Sequence, residues 1–282
     1  MIKTICVCGA GTMGSGIAQV GAMAGYPTLL YDVDESLLRK GRITIEKSLQ
    51  ALVEKGRLAV ETQQEIQGRL HYSAAIDDCT ADLIIEAIVE KQEAKVDLFR
   101  RLAALNTEAT VFASNTSSLS LVALAAGIPQ PERFIGMHFF NPAPLMKLVE
   151  IVHTPHTRAR VTDAVAAVAV QMGKTAVFCK DSPGFIVNHV ARPYYLEALH
   201  LLETGLGDIE TIDGLMEAAG FRMGPFRLMD LIGNDINYSV SCSVYEAMGE
   251  PLRLRPSPLQ EQKVLEGALG RKTGKGYYRY DQ

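Results

Sequence analysis

A glycine-rich hexad, Gly9-Ala-Gly-Thr-Met-Gly14, follows the apolar run Thr4-Ile5-Cys6-Val7-Cys8 and precedes a stretch of helical periodicity that reaches Gly25. Such a hexad has a mechanical meaning at a strand-to-helix turn. Gly9 permits the tight turn, Gly11 lets the backbone approach a pyrophosphate, and Gly14 lets the helix close on the strand, with phosphate charge meeting the helix N-terminus. The segment Thr28-Leu29-Leu30-Tyr31 then ends in Asp32, about twenty residues on, the spacing at which a carboxylate grips the ribose hydroxyls. The pattern points to a βαβ unit that binds a dinucleotide, with Gly9, Gly11, Gly14 and Asp32 as cofactor contacts.

The alternation of strand and helix continues through the first two thirds of the chain. Residues 36–55 predict a long amphipathic helix, 83–88 a buried strand, 91–105 a helix and 110–113 a short strand. Residues 133–139 and 148–152 continue the strand pattern, 161–172 form an alanine- and valine-rich helix stopped by Gly173, and 175–179 are a further strand. At Asp181-Ser182-Pro183-Gly184 the pattern changes: Asp181 or Ser182 is expected to cap a helix with Pro183 in its first turn. Helical periodicities then dominate over 185–203, 208–219, 225–248 and 257–269. The expected architecture is α/β, with an N-terminal nucleotide-binding domain over 1–182 followed by an all-helical domain over 183–282.

Composition excludes several function classes. The 282 residues are 48% hydrophobic and 21% charged, which suits about two domains with ample core. A net charge of -4 gives no electrostatic reason to expect nucleic acid or an anionic membrane as partner. No apolar stretch approaches a bilayer span and the chain enters its first strand almost at once, so a cytoplasmic protein is expected. The cysteines, Cys6, Cys8, Cys79, Cys179 and Cys242, fit neither a disulfide framework nor a zinc spacing, and no metal is expected. Cys6 and Cys8 share one face of a strand and read as small hydrophobes.

Reacting groups in such a chain belong where strands end. Two polar segments fall there, Ser114-Asn115-Thr116-Ser117-Ser118 and His138-Phe139-Phe140-Asn141-Pro142. His138, with Glu150 on a following strand, forms a candidate base oriented by a carboxylate, although an isolated histidine also suits a structural role and a serine-rich run a helix cap. No tyrosine is followed by lysine four residues later, which excludes the tyrosine–lysine mechanism of short-chain dehydrogenases.

Taken in order, Gly9-Ala-Gly-Thr-Met-Gly-Ser-Gly16, Glu86-Ala-Ile-Val-Glu90, Ser114-Asn-Thr-Ser-Ser118, His138-Phe-Phe-Asn-Pro142, Pro183-Gly-Phe-Ile-Val-Asn188 and Lys272-Thr-Gly-Lys-Gly-Tyr277 resemble the successive signatures of the 3-hydroxyacyl-CoA dehydrogenase family. The resemblance implies reversible oxidation of an L-3-hydroxyacyl-CoA by NAD, in a Rossmann domain plus a helical domain that makes a homodimer. It puts the catalytic histidine on His138, its carboxylate partner on Glu150, and substrate-binding groups on Ser117 and Asn188. It puts cofactor contacts on Thr12, Met13, Asp32, Glu90, Lys95 and Lys272, and coenzyme A contacts on Ser48 and Lys55. Residues 188–195 and 229–237 look more like the branch acting on 3-hydroxyadipyl-CoA in phenylacetate breakdown than the common 3-hydroxybutyryl-CoA form. Within that comparison Arg192, one helical turn beyond Asn188 and beside a kinking Pro193, is a candidate to bind the distal carboxylate of the acyl group; an ion pair or a cap on freed carbonyls is its alternative. The same scaffold also occurs as a sugar-acid dehydrogenase and as a crystallin-like structural protein.

Overall fold

The apolar run at the N-terminus forms β1 (Ile5–Cys8) and the hexad turns it into α1 (Thr12–Met23), in a computed structural model that describes residues 2–280. Gly9 takes φ +108°, and a Cβ there would stand 2.5 Å from the Ala87 carbonyl oxygen; one on Gly14 would stand 1.7 Å from the Gly9 oxygen. Both glycines are therefore steric requirements of the turn.

The chain continues through β2 (Thr28–Tyr31), α2 (Glu35–Glu54), α3 (Val60–Gly68), β3 (Leu70–Ser73), β4 (Leu83–Glu86) and α4 (Gln92–Leu105). β5 (Val111–Ser114), α5 (Leu121–Ala125), β6 (Phe134–Phe139), β7 (Leu148–His153), α6 (Ala159–Gln171) and β8 (Thr175–Lys180) complete the first unit. The strands form one sheet in the order β3-β2-β1-β4-β5-β6-β7-β8, with only the β6–β7 pair antiparallel. The order reverses between β1 and β4, and a dinucleotide crosses an open parallel sheet at such a switch point.

Side-chain alternation divides the sheet into two layers. Ile5, Val7, Leu83, Ile85, Ile135, Met137, Val149 and Ile151 join the core that also takes in Ile17 of α1, Leu38 of α2, Ile66 of α3 and Val165 of α6. The residues between them point the other way. On that face Phe112 and Phe134 meet Phe99 of α4 edge to face, at centroid distances of 6.1 and 5.0 Å. Cys6 and Cys8 also lie there, fully buried, and Cys79 completes a trio whose sulfurs lie within 4.8 Å of one another.

Contacts divide the chain into two compact units between Asp181 and Ser182. The second is helical: α7 (Val187–Glu203), α8 (Ile209–Ala218), α9 (Pro225–Ile232), α10 (Asn234–Ala247) and α11 (Pro258–Leu265). Tyr195, Leu199, Ile212, Phe226, Met229, Val244 and Leu254 form its core.

Three local expectations are corrected. Residues 225–248 make two helices, because Gly233 adopts φ +107° and ends the first. The helix expected from 185 begins at Val187, since Gly184 and Phe185 both take left-handed φ values of 72° and 49°. Neither Asp181 nor Ser182 caps it: its N-cap position is Ile186, and the Asp181 carboxylate instead accepts from Ser120 Oγ and the Val122 N–H at the start of α5. The elements α3, β3 and α5 are additions to the expected set.

Candidate active site

The strand register brings the site's carboxylate and imidazole together. β6 and β7 pair antiparallel with His138 opposite Glu150, so both side chains leave the same face of the sheet, the one away from the Ile135–Met137 core. His138 Nδ1 lies 2.7 Å from Glu150 Oε2; the imidazole is 5% exposed and the glutamate 0%. An ionised carboxylate accepts only, so this contact places a proton on Nδ1 and leaves the base chemistry of a neutral ring to Nε2. The ring of Phe140 packs against His138 at 4.5 Å between centroids.

The serine-rich segment reaches the same strand end. Ser114 closes β5, which runs parallel to β6, and the Asn115 side-chain oxygen accepts the Phe139 N–H at 2.8 Å. That bond ties residues 114–118 to the residue after the histidine. Ser117 follows, half-buried, its N–H donating to Glu90 Oε1 at 3.0 Å.

Glu90, itself partly exposed, joins a buried ion pair. Lys95, 1% exposed, bridges Glu86 at 2.6 Å and Glu90 at 2.9 Å. Glu90 also accepts from Thr116 Oγ1 at 2.5 Å. Burial pushes the Glu90 carboxyl up, but the Lys95 ammonium, the Thr116 hydroxyl and the Ser117 amide together hold it below the usual carboxylate range. Burial raises the Glu86 carboxyl above its usual range, opposed by Lys95 and by the Ser114 hydroxyl. Glu86 and Asn115 fall within segments that the sequence singles out, but neither was given a role there; a glutamate following the apolar Leu83-Ile84-Ile85 is the visible signal for the first.

The turn after β1 fits a dinucleotide. Gly11 is the N-cap of α1, no side chain caps that helix end, and the space beside the Gly11 Cα is open, with nothing within 4 Å of an added Cβ. First-turn N–H groups without an intrahelical partner are an anion site. Thr12 is exposed and Met13 half-buried at this helix start. Asp32, at the end of β2, accepts the Ala10 N–H at 2.7 Å through Oδ2 and the Asp34 N–H at 3.0 Å through Oδ1, so its carboxylate is fixed beside the turn.

Other expected site residues belong to other elements. Ser48 and Lys55 lie two turns apart at the C-terminal part of α2, Ser48 half-buried and Lys55 exposed. In the helical unit, Lys272 pairs with Asp235 at 2.6 Å and Asn188 is half-buried in the first turn of α7. Arg192 stands as its alternative reading has it, as a donor to backbone carbonyls. It is 3% exposed, and its guanidinium donates to the Asn188 carbonyl, the Asn237 carbonyl and Ser241 Oγ while lying over the Tyr195 ring at 4.9 Å. Burial pulls its pKa down to about 10, so it stays charged at neutral pH and bonds α7 to α10.

Known proteins of one family match both units of the chain. Residues 4–182 match the family model described as 3-hydroxyacyl-CoA dehydrogenase, NAD binding domain, and residues 184–280 match the C-terminal domain of the same family. The chain is 45% identical to a 3-hydroxyadipyl-CoA dehydrogenase of Escherichia coli over 98% of its own length, and spans 59% of that relative. It is 39% identical to a 3-hydroxybutyryl-CoA dehydrogenase of Bradyrhizobium diazoefficiens, covering 99% of this chain and 96% of the relative. Among solved structures, (S)-3-hydroxybutyryl-CoA dehydrogenase from Ralstonia eutropha superposes with a TM-score of 0.95 at 38% identity, covering 100% of both chains. With an open first-turn anion site, a fixed Asp32 and both domains of the family present, the chain belongs to the 3-hydroxyacyl-CoA dehydrogenases, NAD-dependent oxidoreductases.

Proposed function

We propose that this chain interconverts an L-3-hydroxyacyl-CoA and the 3-ketoacyl-CoA, with His138 as general base and Glu150 as its orienting partner. The 2.7 Å contact between His138 Nδ1 and a fully buried carboxylate carries the reading. NAD, which the Gly9–Gly14 turn and Asp32 would hold, would supply the acceptor for the hydride on C3 of the substrate. His138 Nε2 takes the hydroxyl proton, and Glu150 stabilises the imidazolium that results. Ser117, on the loop fixed by Asn115 and Glu90, donates to the substrate oxygen and favours the more charged transition state. The family resemblance assigns Asn188 a hydrogen bond to the substrate as well, and gives Lys55 and Ser48 to coenzyme A. An exposed lysine suits a phosphate as a point charge. A purely structural protein has no use for an oriented imidazole.

The acyl group is of the 3-hydroxybutyryl or 3-hydroxyadipyl type, supported by relatives named for each. Acetoacetyl-CoA reduction with NADH, followed by a chain-length series that includes an acyl-CoA with a distal carboxylate, tests the reading. NADH is expected to outperform NADPH, because Asp32 repels a 2′-phosphate. Absence of turnover with every 3-ketoacyl-CoA would overturn the assignment.

The assembly belongs to the same proposal. The helical unit exposes Val190, Leu206, Leu215, Phe221, Leu252 and Leu265, each at least 49% exposed, an apolar load that supports a homodimer through this unit. Light scattering at micromolar concentration should give twice the chain mass, and a monomer would refute the dimer. Among the described residues no helix is long and apolar enough to cross a membrane. Five free thiols suit a reducing compartment, and we assign the chain to the cytoplasm.

A further inference from the structure

Two carboxylates share one cation at the C-terminal end of β4. Glu86, fully buried, accepts from Lys95 Nζ at 2.6 Å and the Ile88 N–H at 2.7 Å on Oε1, and from Ser114 Oγ at 2.6 Å on Oε2. The Ser114 hydroxyl is oriented in turn, because its oxygen accepts the Thr116 N–H at 3.2 Å. Burial raises the Glu86 carboxyl, and against it the Lys95 ammonium, the Ser114 hydroxyl and the Ile88 N–H all favour the ionised form, which is the form that accepts all three bonds. Glu90 is the second anion on Lys95, at 2.9 Å. The cluster of Glu86, Lys95 and Glu90 thus carries one uncompensated negative charge.

Its place in the sheet gives that charge a use. Glu86 is the register partner of Cys8 in β1 and of Ser114 in β5, so it stands beside the switch between β1 and β4. Asp32 assigns the adenosine half of a dinucleotide to the β2 side of the crevice, which gives the nicotinamide half to β4 and β5. The oxidised nicotinamide ring is a cation and the reduced ring is neutral. A fixed charge in a site of low dielectric acts on the first and not on the second.

We propose that Glu86 is a positioning residue that, through Lys95 and Glu90, sets the enzyme's preference between NAD+ and NADH: the net negative cluster favours the cationic ring. This rests on the NAD-dependent reading of the site. Without Glu86, Lys95 and Glu90 form a neutral pair and the preference is lost. Cluster and serine loop are also one bonded unit, because Glu86 and Glu90 hold Ser114, Thr116 and Ser117. A merely structural role would weaken both cofactor forms together.

Equilibrium titration of NADH fluorescence, and of NAD+ in competition with it, separates the two roles on the full chain. Glu86→Gln is expected to raise the ratio Kd(NAD+)/Kd(NADH) by about tenfold, a shift of about 30 mV in the bound couple toward reduction. Glu86→Asp, which keeps the charge, should hold the ratio near the wild-type value even if both affinities fall. Should Glu86→Gln fail to fold, Glu90→Gln removes the same charge from a partly exposed position and must raise the ratio. Equal changes in both dissociation constants would overturn the proposal and leave the dehydrogenase reading intact. Failure of the wild-type protein to bind either form would overturn both.

Discussion

Replacing His138 by glutamine is expected to lower turnover by about a hundredfold or more while leaving NADH affinity nearly unchanged, the usual scale for loss of a general base. Glutamine fills much of the same space and still bonds to Glu150, so the register of β6 against β7 survives. What it lacks is a nitrogen that accepts a proton near neutral pH. The oxidation then proceeds without a base for the hydroxyl proton, and the loss falls on kcat rather than on cofactor binding. Glu150→Gln should show the same division in weaker form, because an amide orients the ring but does not stabilise its positive charge. Steady-state kinetics with acetoacetyl-CoA, beside NADH fluorescence titration, reads both. Near-native turnover of His138→Gln would sink the mechanism.

The sequence carried this pair because strand periodicity and hairpin spacing are local quantities. His138 and Glu150 occupy adjacent strands, and only the register was needed to join them. The Glu86–Lys95–Glu90 cluster was legible in its parts: Glu90 and Lys95 came from the family resemblance, whereas Glu86, although it opens the same signature, read as an interior position of the strand expected over 83–88. Joining them needs the fold of α4 back over β4, which periodicity alone does not fix. Arg192 shows the converse difficulty. Its spacing from Asn188 was read correctly as one helical face, but the partners of that face, Asn237 and Ser241, lie on α10, 45 and 49 residues away. Long-range partners decide whether a buried guanidinium meets a ligand or a carbonyl. β3 was hidden because His71, Tyr72 and Ser73 leave a single strong apolar residue, Leu70, and it forms only by pairing with β2. The long helix expected over 225–248 shows how one positive-φ glycine overrides an unbroken hydrophobic pattern.

Asp230→Ala is expected to destabilise the helical unit by roughly 3–5 kcal/mol, among the larger single-residue effects. The carboxylate is 1% exposed and accepts four bonds: Asn234 Nδ2 and the Tyr277 N–H at 2.9 Å on Oδ1, the Tyr278 N–H at 2.9 Å and the Tyr280 hydroxyl at 3.0 Å on Oδ2. Three of these donors belong to the last described segment of the chain, so this aspartate in α9 fastens it to the unit. Alanine leaves buried donors without an acceptor and a gap where the carboxylate stood, and each unsatisfied group costs about 1–3 kcal/mol. Asp230→Asn should fall between, since its amide keeps one acceptor oxygen but turns a donor toward two of the four donors. Urea unfolding followed by far-UV circular dichroism gives the free energies. Hydrogen exchange at the Tyr277 and Tyr278 amides locates the effect, with protection lost first there. An alanine variant within about 1 kcal/mol of wild type, the range of most point substitutions, would show that the segment is held by its aromatic packing, with Tyr277 against Phe226 at 4.9 Å, rather than by the carboxylate.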